Sequence, residues 1–233
     1  MSTSTIRMAG VGVILGAAVF VISQLLSAFL FVGGNGFGSS ALNPAYVPLY
    51  LVYAIAFVPL LFSFPVIYLR WTEAWGAIGL IGLILLFSVG LLFGVFFGFL
   101  QAVFFPYLAR HDPGALGNNG PTSFFVFFIV GSALQVIATV LIGVQVLRGR
   151  LPGSRWFGLL WVLAAVATAV GFLGPSSNTV GSNLLSDANG TLVGVGLIVL
   201  GYQLWSSAPA KAPDVTRPEA GETPDAGEMP ARA

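Results

Sequence analysis

The sequence predicts an all-α integral membrane protein: a six-helix transmembrane bundle with both termini in the cytoplasm and a disordered C-terminal tail. Two observations support this. First, 57% of the residues are hydrophobic and only 7% are charged, whereas about a quarter of the residues in a soluble domain are charged. Second, the apolar runs are too long for strands or for ordinary core helices. Helices suit such runs because a segment in lipid must satisfy its own backbone hydrogen bonds.

Six apolar runs define the predicted spans, and segments rich in turn-forming or polar residues separate them. The first run follows Arg7 and is longer than the apolar region of a signal peptide, so we interpret it as a transmembrane helix. Pro59 and Pro65 predict kinks in the second run, because each removes a backbone donor. The predicted spans are 8–32, 46–69, 76–105, 123–147, 156–173 and 184–205.

The C-terminal segment, residues 206–233, differs sharply in composition from the rest of the chain. It is rich in Pro, Ala, Gly and Glu and poor in large apolar side chains. Such a segment cannot bury enough surface to offset the entropy of ordering, and we predict that it is disordered. The transmembrane domain is therefore expected to be residues 1–205.

The third apolar run is longer than a bilayer requires. Its roughly 30 apolar residues would form a helix about 45 Å long, against a hydrocarbon core of about 30 Å. A tilt within the usual range, up to about 40°, does not absorb this length. We expect the end of the run to project into or beyond the membrane interface. A split into two re-entrant halves is the alternative.

The basic residues predict the orientation. With six spans, eight of the nine Lys and Arg residues lie on the side that holds both termini, and Arg110 lies on the other. The positive-inside rule then places both termini in the cytoplasm. Tryptophans at the same ends of the spans fit this orientation, because indoles anchor helices at the interface. These tryptophans are Trp71, Trp75, Trp156 and Trp205.

A track of small residues with interleaved phenylalanines marks the third span. Membrane helices associate by close packing, so such a track predicts a surface where a helix or a flat ligand approaches. Packing within the chain is the simplest explanation, and a second copy or a lipid-like molecule in the groove are alternatives. The predicted helix-packing or lipid groove comprises Gly90, Gly94, Gly98, Ala102, Phe93 and Phe97.

Two other spans repeat this four-residue spacing of glycines. Gly12 and Gly16 lie in the first span, and Gly190 and Gly194 lie in the sixth. Together with the track of the third span, they predict that spans 1, 3 and 6 approach one another closely.

Four polar side chains are candidates for contacts within the membrane. Gln135 lies near the middle of the fourth span, and Ser132 and Thr139 share its helix face; Gln24 lies in the outer half of the first span. Hydrogen bonds between helices explain such residues at about 0.6 kcal/mol each, up to 1–2. For Gln135, contact with a solute or ligand is an alternative.

A small group of charged or titratable residues is predicted on the outer face. Arg110, His111 and Asp112 follow the third span, and Asp187 stands at the start of the sixth. Ion pairing across the mouth or plain solvation is the simplest interpretation. A catalytic site here would lack a nucleophile motif, and an adjacent His-Asp pair is too few ligands for a metal.

Several chemistries are excluded by missing residues. The chain has no cysteine, which rules out disulfides, thiolate catalysis and cysteine metal sites. No Asp, Glu, Lys, Arg or His lies near the predicted middle of a span, which argues against ion-coupled transport. We therefore predict no cofactor and no metal. The sequence has no basic patch of the kind that binds nucleic acid, so we expect no nucleic acid as a partner.

These observations favour a non-enzymatic multi-pass membrane protein, either an assembly subunit or a binder of a lipid-like hydrophobic molecule in the groove of span 3. One alternative is a facilitator or channel for a small uncharged solute, lined by Gln135, Thr139 and Gln24. A weaker one is an enzyme acting at the outer face through His111 or Asp187. The expected partners are membrane lipids, with a second copy or another membrane protein as alternatives. The composition indicates a bacterial inner (plasma) membrane.

Overall fold

The computed structural model describes residues 2–32, 37–116, 122–149, 155–173 and 179–207, and within these ranges the regular structure is entirely helical. Five helices are long and apolar enough to cross a membrane, and one apolar helix, Phe157–Val170, is shorter. The prediction of an α-helical multi-pass membrane protein is therefore confirmed. From residue 208 onward, the predicted disordered tail lies outside the described residues.

Helices cover most of the described chain. Ser2 caps the first of them, since its hydroxyl accepts a hydrogen bond from the Thr5 amide at 3.1 Å. In chain order the helices are α1 (Thr3–Leu30), α2 (Phe37–Ala41), α3 (Tyr46–Arg70), α4 (Thr72–Val89), a π-helix (Gly90–Phe97), α5 (Gly98–His111), α6 (Pro113–Leu116), α7 (Thr122–Leu147), α8 (Arg155–Leu173) and α9 (Val180–Ser206).

The last helix starts earlier than the sequence predicted. Thr179 and Ser182 form a reciprocal capping box, in which each side chain binds the backbone amide of the other residue. This pair supplies partners for free amides of the first turn and sets the helix start at Val180. Asp187 consequently lies in the third turn of α9 and not at its beginning.

Beyond a kink at Gly76, the third span is one continuous helical segment. It runs from Trp75 to His111, 37 residues, with the π-helix joining α4 to α5. Gly76 adopts a φ of 54°, which side-chain-bearing residues rarely adopt, so the chain bends there as the span begins. Pro106 lies inside α5. The structure therefore has an overlong span and not two re-entrant halves.

The long helices form a closed ring in chain order. Helix α1 packs on α3, α3 packs on the π-helix and α5, and α4 packs on α7. Beyond these, α7 packs on α8, α8 on α9, and α9 returns to α1. Contacts between the start of one helix and the end of the next show that neighbours run antiparallel. The first and last long helices of the described chain are thus direct neighbours.

Glycines set the close approach along α1. A Cβ atom placed on Gly10 would lie 2.8 Å from the carbonyl oxygen of Gly201 on α9, too close for a side chain. On another face of α1, a Cβ on Gly16 would lie 2.5 Å from the Ala56 carbonyl oxygen of α3. These glycines join span 1 to spans 6 and 2. The predicted close approach of span 3 to spans 1 and 6 is not the arrangement found, because span 3 packs on α3 and α7.

The buried apolar side chains form two clusters, and the larger of them lies at one end of the ring interior. One continuous apolar cluster, with residues from all six long helical segments, fills the end that contains Ile6, Ile67 and Trp75. We call this the Trp75 end. The opposite end, which contains the end of α1 and the starts of α3 and α9, is called the Asp187 end.

The tryptophans do not all act as predicted. Trp75 is 0% exposed, and its ring lies over Gly79 beside the side chain of Gln145. Its predicted role as an interfacial anchor is therefore wrong, because the missing side chain at Gly79 makes room for the indole inside the bundle. Trp205 is 44% exposed and faces outward. The structure does not describe the side chain of Trp156.

We expect Gly201→Leu to destabilise the protein, because the added side chain would meet the backbone of α1 at Gly10. Overpacking of this kind costs about 1–3 kcal/mol or more. The midpoint of thermal unfolding in detergent should fall. Gly181→Leu is the matched control, since a Cβ on Gly181 meets nothing within 4 Å. Equal midpoints for the two variants would contradict the assigned contact between α1 and α9.

Candidate functional site

The glycine face of the third span receives α3 of the same chain. Phe57 lies over both Gly90 and Gly94. A Cβ on Gly98 would lie 2.9 Å from Cδ1 of Tyr53. Ala102, the last member of the track, is buried. The face is therefore filled by neighbouring side chains and offers no open groove for a lipid.

The phenylalanines of the same track contact α7. The ring of Phe93 lies directly over Gly131, and its centroid is 4.8 Å from that of Phe127. The ring of Phe97 is 4.8 Å from that of Phe128. These aromatic contacts fix the π-helix against α7.

The predicted polar residues of α7 point in different directions. The amide of Gln135 donates a hydrogen bond of 2.9 Å to the side-chain oxygen of Asn189 on α9. Since α7 and α9 are separated by α8 in the ring, this bond crosses between helices that are not ring neighbours. Thr139 is fully buried and donates to its own helix, to the carbonyl oxygen of Gln135 at 2.9 Å. Gln24 of α1 lies against Gly190 of α9.

Asp187 of α9 lies against α1 and near two tyrosines of α3. Its carboxylate accepts a hydrogen bond of 3.0 Å from the Ser27 hydroxyl of α1. That hydroxyl is also 2.7 Å from the carbonyl oxygen of Gln24. The phenols of Tyr50 and Tyr53, both on α3, lie close enough to the carboxylate to interact with it electrostatically. The site thus draws one side chain or more from each of three helices.

Further aromatic rings from α1 pack against these two tyrosines. Tyr53 lies 5.5 Å from Phe20 and 6.1 Å from Tyr50, measured between ring centroids. Phe31 stacks on Tyr50 at 6.2 Å. Sequence reasoning missed the two tyrosines, although their three-residue spacing places them on one helix face. What it lacked was the knowledge that this face lies near the Asp187 carboxylate.

The other outer-face candidates are separate from Asp187. Arg110, His111 and Asp112 are exposed at the end of α5. The His111 ring stacks on Tyr107 at 4.3 Å, and Asp112 accepts a hydrogen bond from the Ala115 amide at 3.3 Å. Asp187 instead accepts a hydrogen bond from Ser27 and interacts electrostatically with Tyr50 and Tyr53. Among the described residues, no three His, Cys, Asp or Glu side chains are placed to hold a metal ion.

A second polar group lies at the Trp75 end. Gln145 is 0% exposed, and neither its amide nitrogen nor its oxygen has a hydrogen-bond partner among the described residues. The indole nitrogens of Trp75 and Trp161 are likewise buried with no partner in the described part of the chain. Sequence reasoning did not single out Gln145, because it stands near the end of a predicted span. Buried polar groups of this kind are the usual positions of ordered water.

An apolar groove lies between α7 and α8 and opens to the outside of the ring. Its volume is about 370 Å³. Its floor includes Ala133 and Ala169, and the side chains of Ile129 and Ile137 border it and are about half exposed. Thr168, which also lines it, turns its hydroxyl to the carbonyl oxygen of Ala164 at 2.9 Å. Ser132 lies in the wall.

The fold and these features define a helical multi-pass membrane protein with a hydrophobic side groove and a partly buried carboxylate, that of Asp187, at one end. Comparisons with family models, with curated proteins and with solved structures returned no match. Functional inference therefore depends on the chemistry of the residues themselves.

We expect Gln135 and Asn189 to be energetically coupled. Membrane hydrogen bonds between helices average about 0.6 kcal/mol and reach about 1.7. A double-mutant cycle with Gln135→Leu and Asn189→Leu, measured by reversible unfolding in mixed micelles, should give a coupling of this size. As a control, Gln135→Leu combined with Ser88→Ala should give none, because Ser88 bonds only its own helix, at the Ile84 carbonyl oxygen. Zero coupling in the first cycle would refute the bond.

Proposed function

We propose that the protein is a non-enzymatic membrane protein that binds the hydrocarbon chain of a lipid-like molecule in the groove between α7 and α8. The observation that carries this proposal is the groove itself. Its volume of about 370 Å³ falls within the range of about 300–1,000 Å³ typical of small-ligand sites. Its opening faces the outside of the ring, where a bilayer supplies such chains.

The chemistry of the lining supports a hydrocarbon occupant. The small side chains of Ala133 and Ala169 leave space between the two helices, and the Thr168 hydroxyl donates a hydrogen bond to a carbonyl oxygen of its own helix. The surface presented to an occupant is therefore carbon, which gains van der Waals contact but offers nothing to a polar solute. The face of span 3 is filled by α3, so the proposal assigns the lipid to this groove.

Filling the groove should remove the bound lipid. Ala133→Trp would occupy the space with an indole, and Ile55→Trp is the control, because Ile55 lies on the outside of α3 and is 65% exposed. We expect native mass spectrometry of the gently extracted parent and of Ile55→Trp to show a retained lipid that Ala133→Trp lacks. The same retained lipid in all three proteins would overturn the proposed site.

The proposal includes six spans with both termini in the cytoplasm of a bacterial cell. Helix α8 spans 19 residues, about 28 Å of helix, which nearly matches a hydrocarbon core of about 30 Å. Its place in the ring between α7 and α9 supports its being a sixth span. The asymmetry of Lys and Arg supports the orientation.

The absence of cysteine makes this topology directly testable. Three single-cysteine variants at exposed positions, Ala115→Cys, Arg148→Cys and Gly181→Cys, probe successive connections. We expect a membrane-impermeant maleimide to label the first and third in spheroplasts and the second only after permeabilisation. If intact spheroplasts labelled both Gly181→Cys and Arg148→Cys, the two positions would lie on the same side of the membrane, and α8 would not cross it. Exclusive labelling of Arg148→Cys would reverse the orientation.

A further inference from the structure

We infer that the Asp187 end of the ring binds the ammonium group of an amine-bearing molecule, held between the Asp187 carboxylate, the Ser27 hydroxyl and the rings of Tyr50 and Tyr53. This site lies inside the ring, whereas the lipid groove lies outside it between α7 and α8. The inference therefore goes beyond the proposed function and does not depend on it.

The carboxylate of Asp187 has too few hydrogen-bond donors within the described protein. An ionised carboxylate offers about four acceptor positions, and Ser27 is the one described residue that donates to it. The single proton of that hydroxyl is also within reach of the Gln24 carbonyl oxygen, which is nearer, at 2.7 Å. No described Lys, Arg or His side chain pairs with Asp187. A primary ammonium group would supply both the missing donors and the missing charge, and a quaternary ammonium, which has no N–H, would supply the charge alone.

The position of Asp187 makes an unpaired charge costly. It is the eighth residue of α9, about 10 Å along the helix from its start. If α9 is centred in a core of about 30 Å, the carboxylate lies about 5 Å inside the hydrocarbon boundary. Ionisable residues at such depth are rare and mark binding or transport sites, because isolation from water disfavours the charge unless a partner neutralises it.

The neighbouring rings favour an organic cation. Tyr50, Tyr53, Phe20 and Phe31 form a chain of ring contacts between 5.5 and 6.2 Å. Aromatic faces attract ammonium groups, most strongly where water is excluded, and quaternary ammonium ligands are recognised this way. A bare divalent cation fits poorly, since it requires about six or more oxygen ligands and the described residues offer no acidic cluster.

The ammonium group has two potential sources with the same chemistry. A soluble amine such as choline or ethanolamine would enter from the Asp187 end of the ring. A phosphatidylethanolamine molecule would present its head group from the adjacent leaflet. Both place a positive nitrogen beside Asp187, so the experiment separates them by supplying each one alone.

The first arm measures the thermal unfolding midpoint of the full-length protein in neutral detergent while choline or ethanolamine is titrated. The second measures the preference for phosphatidylethanolamine over phosphatidylglycerol by native mass spectrometry. We expect stabilisation in the first arm if the source is soluble, or preferential retention in the second if it is a lipid. In either case Asp187→Asn should weaken the apparent affinity about tenfold or more. The neutral choline isostere 3,3-dimethylbutanol should have no effect.

Two further variants separate loss of binding from loss of folding. Tyr53→Phe keeps the ring and should retain binding, whereas Tyr53→Leu removes it and should weaken binding. Asp112→Asn is the control for charge, because Asp112 is exposed at the end of α5. No stabilisation in the first arm together with no lipid preference in the second would overturn the inference. So would an effect that Asp187→Asn leaves unchanged.

Discussion

The contact between α1 and α9 determines the rest of the architecture, because it closes the ring. Gly10 and Gly201 allow the two backbones to meet at the Trp75 end, and Ser27 and Asp187 meet along the same pair of helices at the other end. In lipid, apolar side chains gain little from leaving the solvent, so close backbone contact must supply the association energy. The same interface that closes the ring therefore positions the carboxylate inside it.

The larger apolar cluster and the hydrogen bonds between helices lie toward opposite ends of the ring. At the Trp75 end, residues such as Val13, Leu86 and Leu197 belong to a single packed cluster. At the other end lie Asp187 and the hydrogen-bonded pair of Gln135 and Asn189. A solute entering at the Asp187 end would meet the packed apolar cluster before reaching the far side. This arrangement favours binding over passage and gives less support to a facilitator.

The spans could be predicted from sequence because an apolar run is a local property: the predicted 46–69 became Tyr46–Arg70. Partners of those spans could not be predicted, since they depend on ring order. Trp75 was predicted to be an interfacial anchor, whereas in the structure its ring packs over Gly79. Asp187 seemed to lie at a helix start, although Thr179 and Ser182 carried a capping signal that places it in the third turn. The aromatic residues of α3 near Asp187 could not be predicted from the sequence around Asp187, because they are distant in the chain.

The alternating glycines and phenylalanines of span 3 serve two different neighbours. The bare backbone at Gly94 receives the ring of Phe57 from α3, while Phe93 projects its own ring onto Gly131 of α7. Each contact pairs a glycine with an aromatic ring, because the missing side chain of the glycine makes room for the ring. The π-helix spans this stretch, and its wider turn changes the angular spacing of successive side chains. The faces that carry Gly94 and Phe93 are therefore filled by neighbouring helices, while Leu91, Phe96 and Phe99 remain exposed on the outside of the segment.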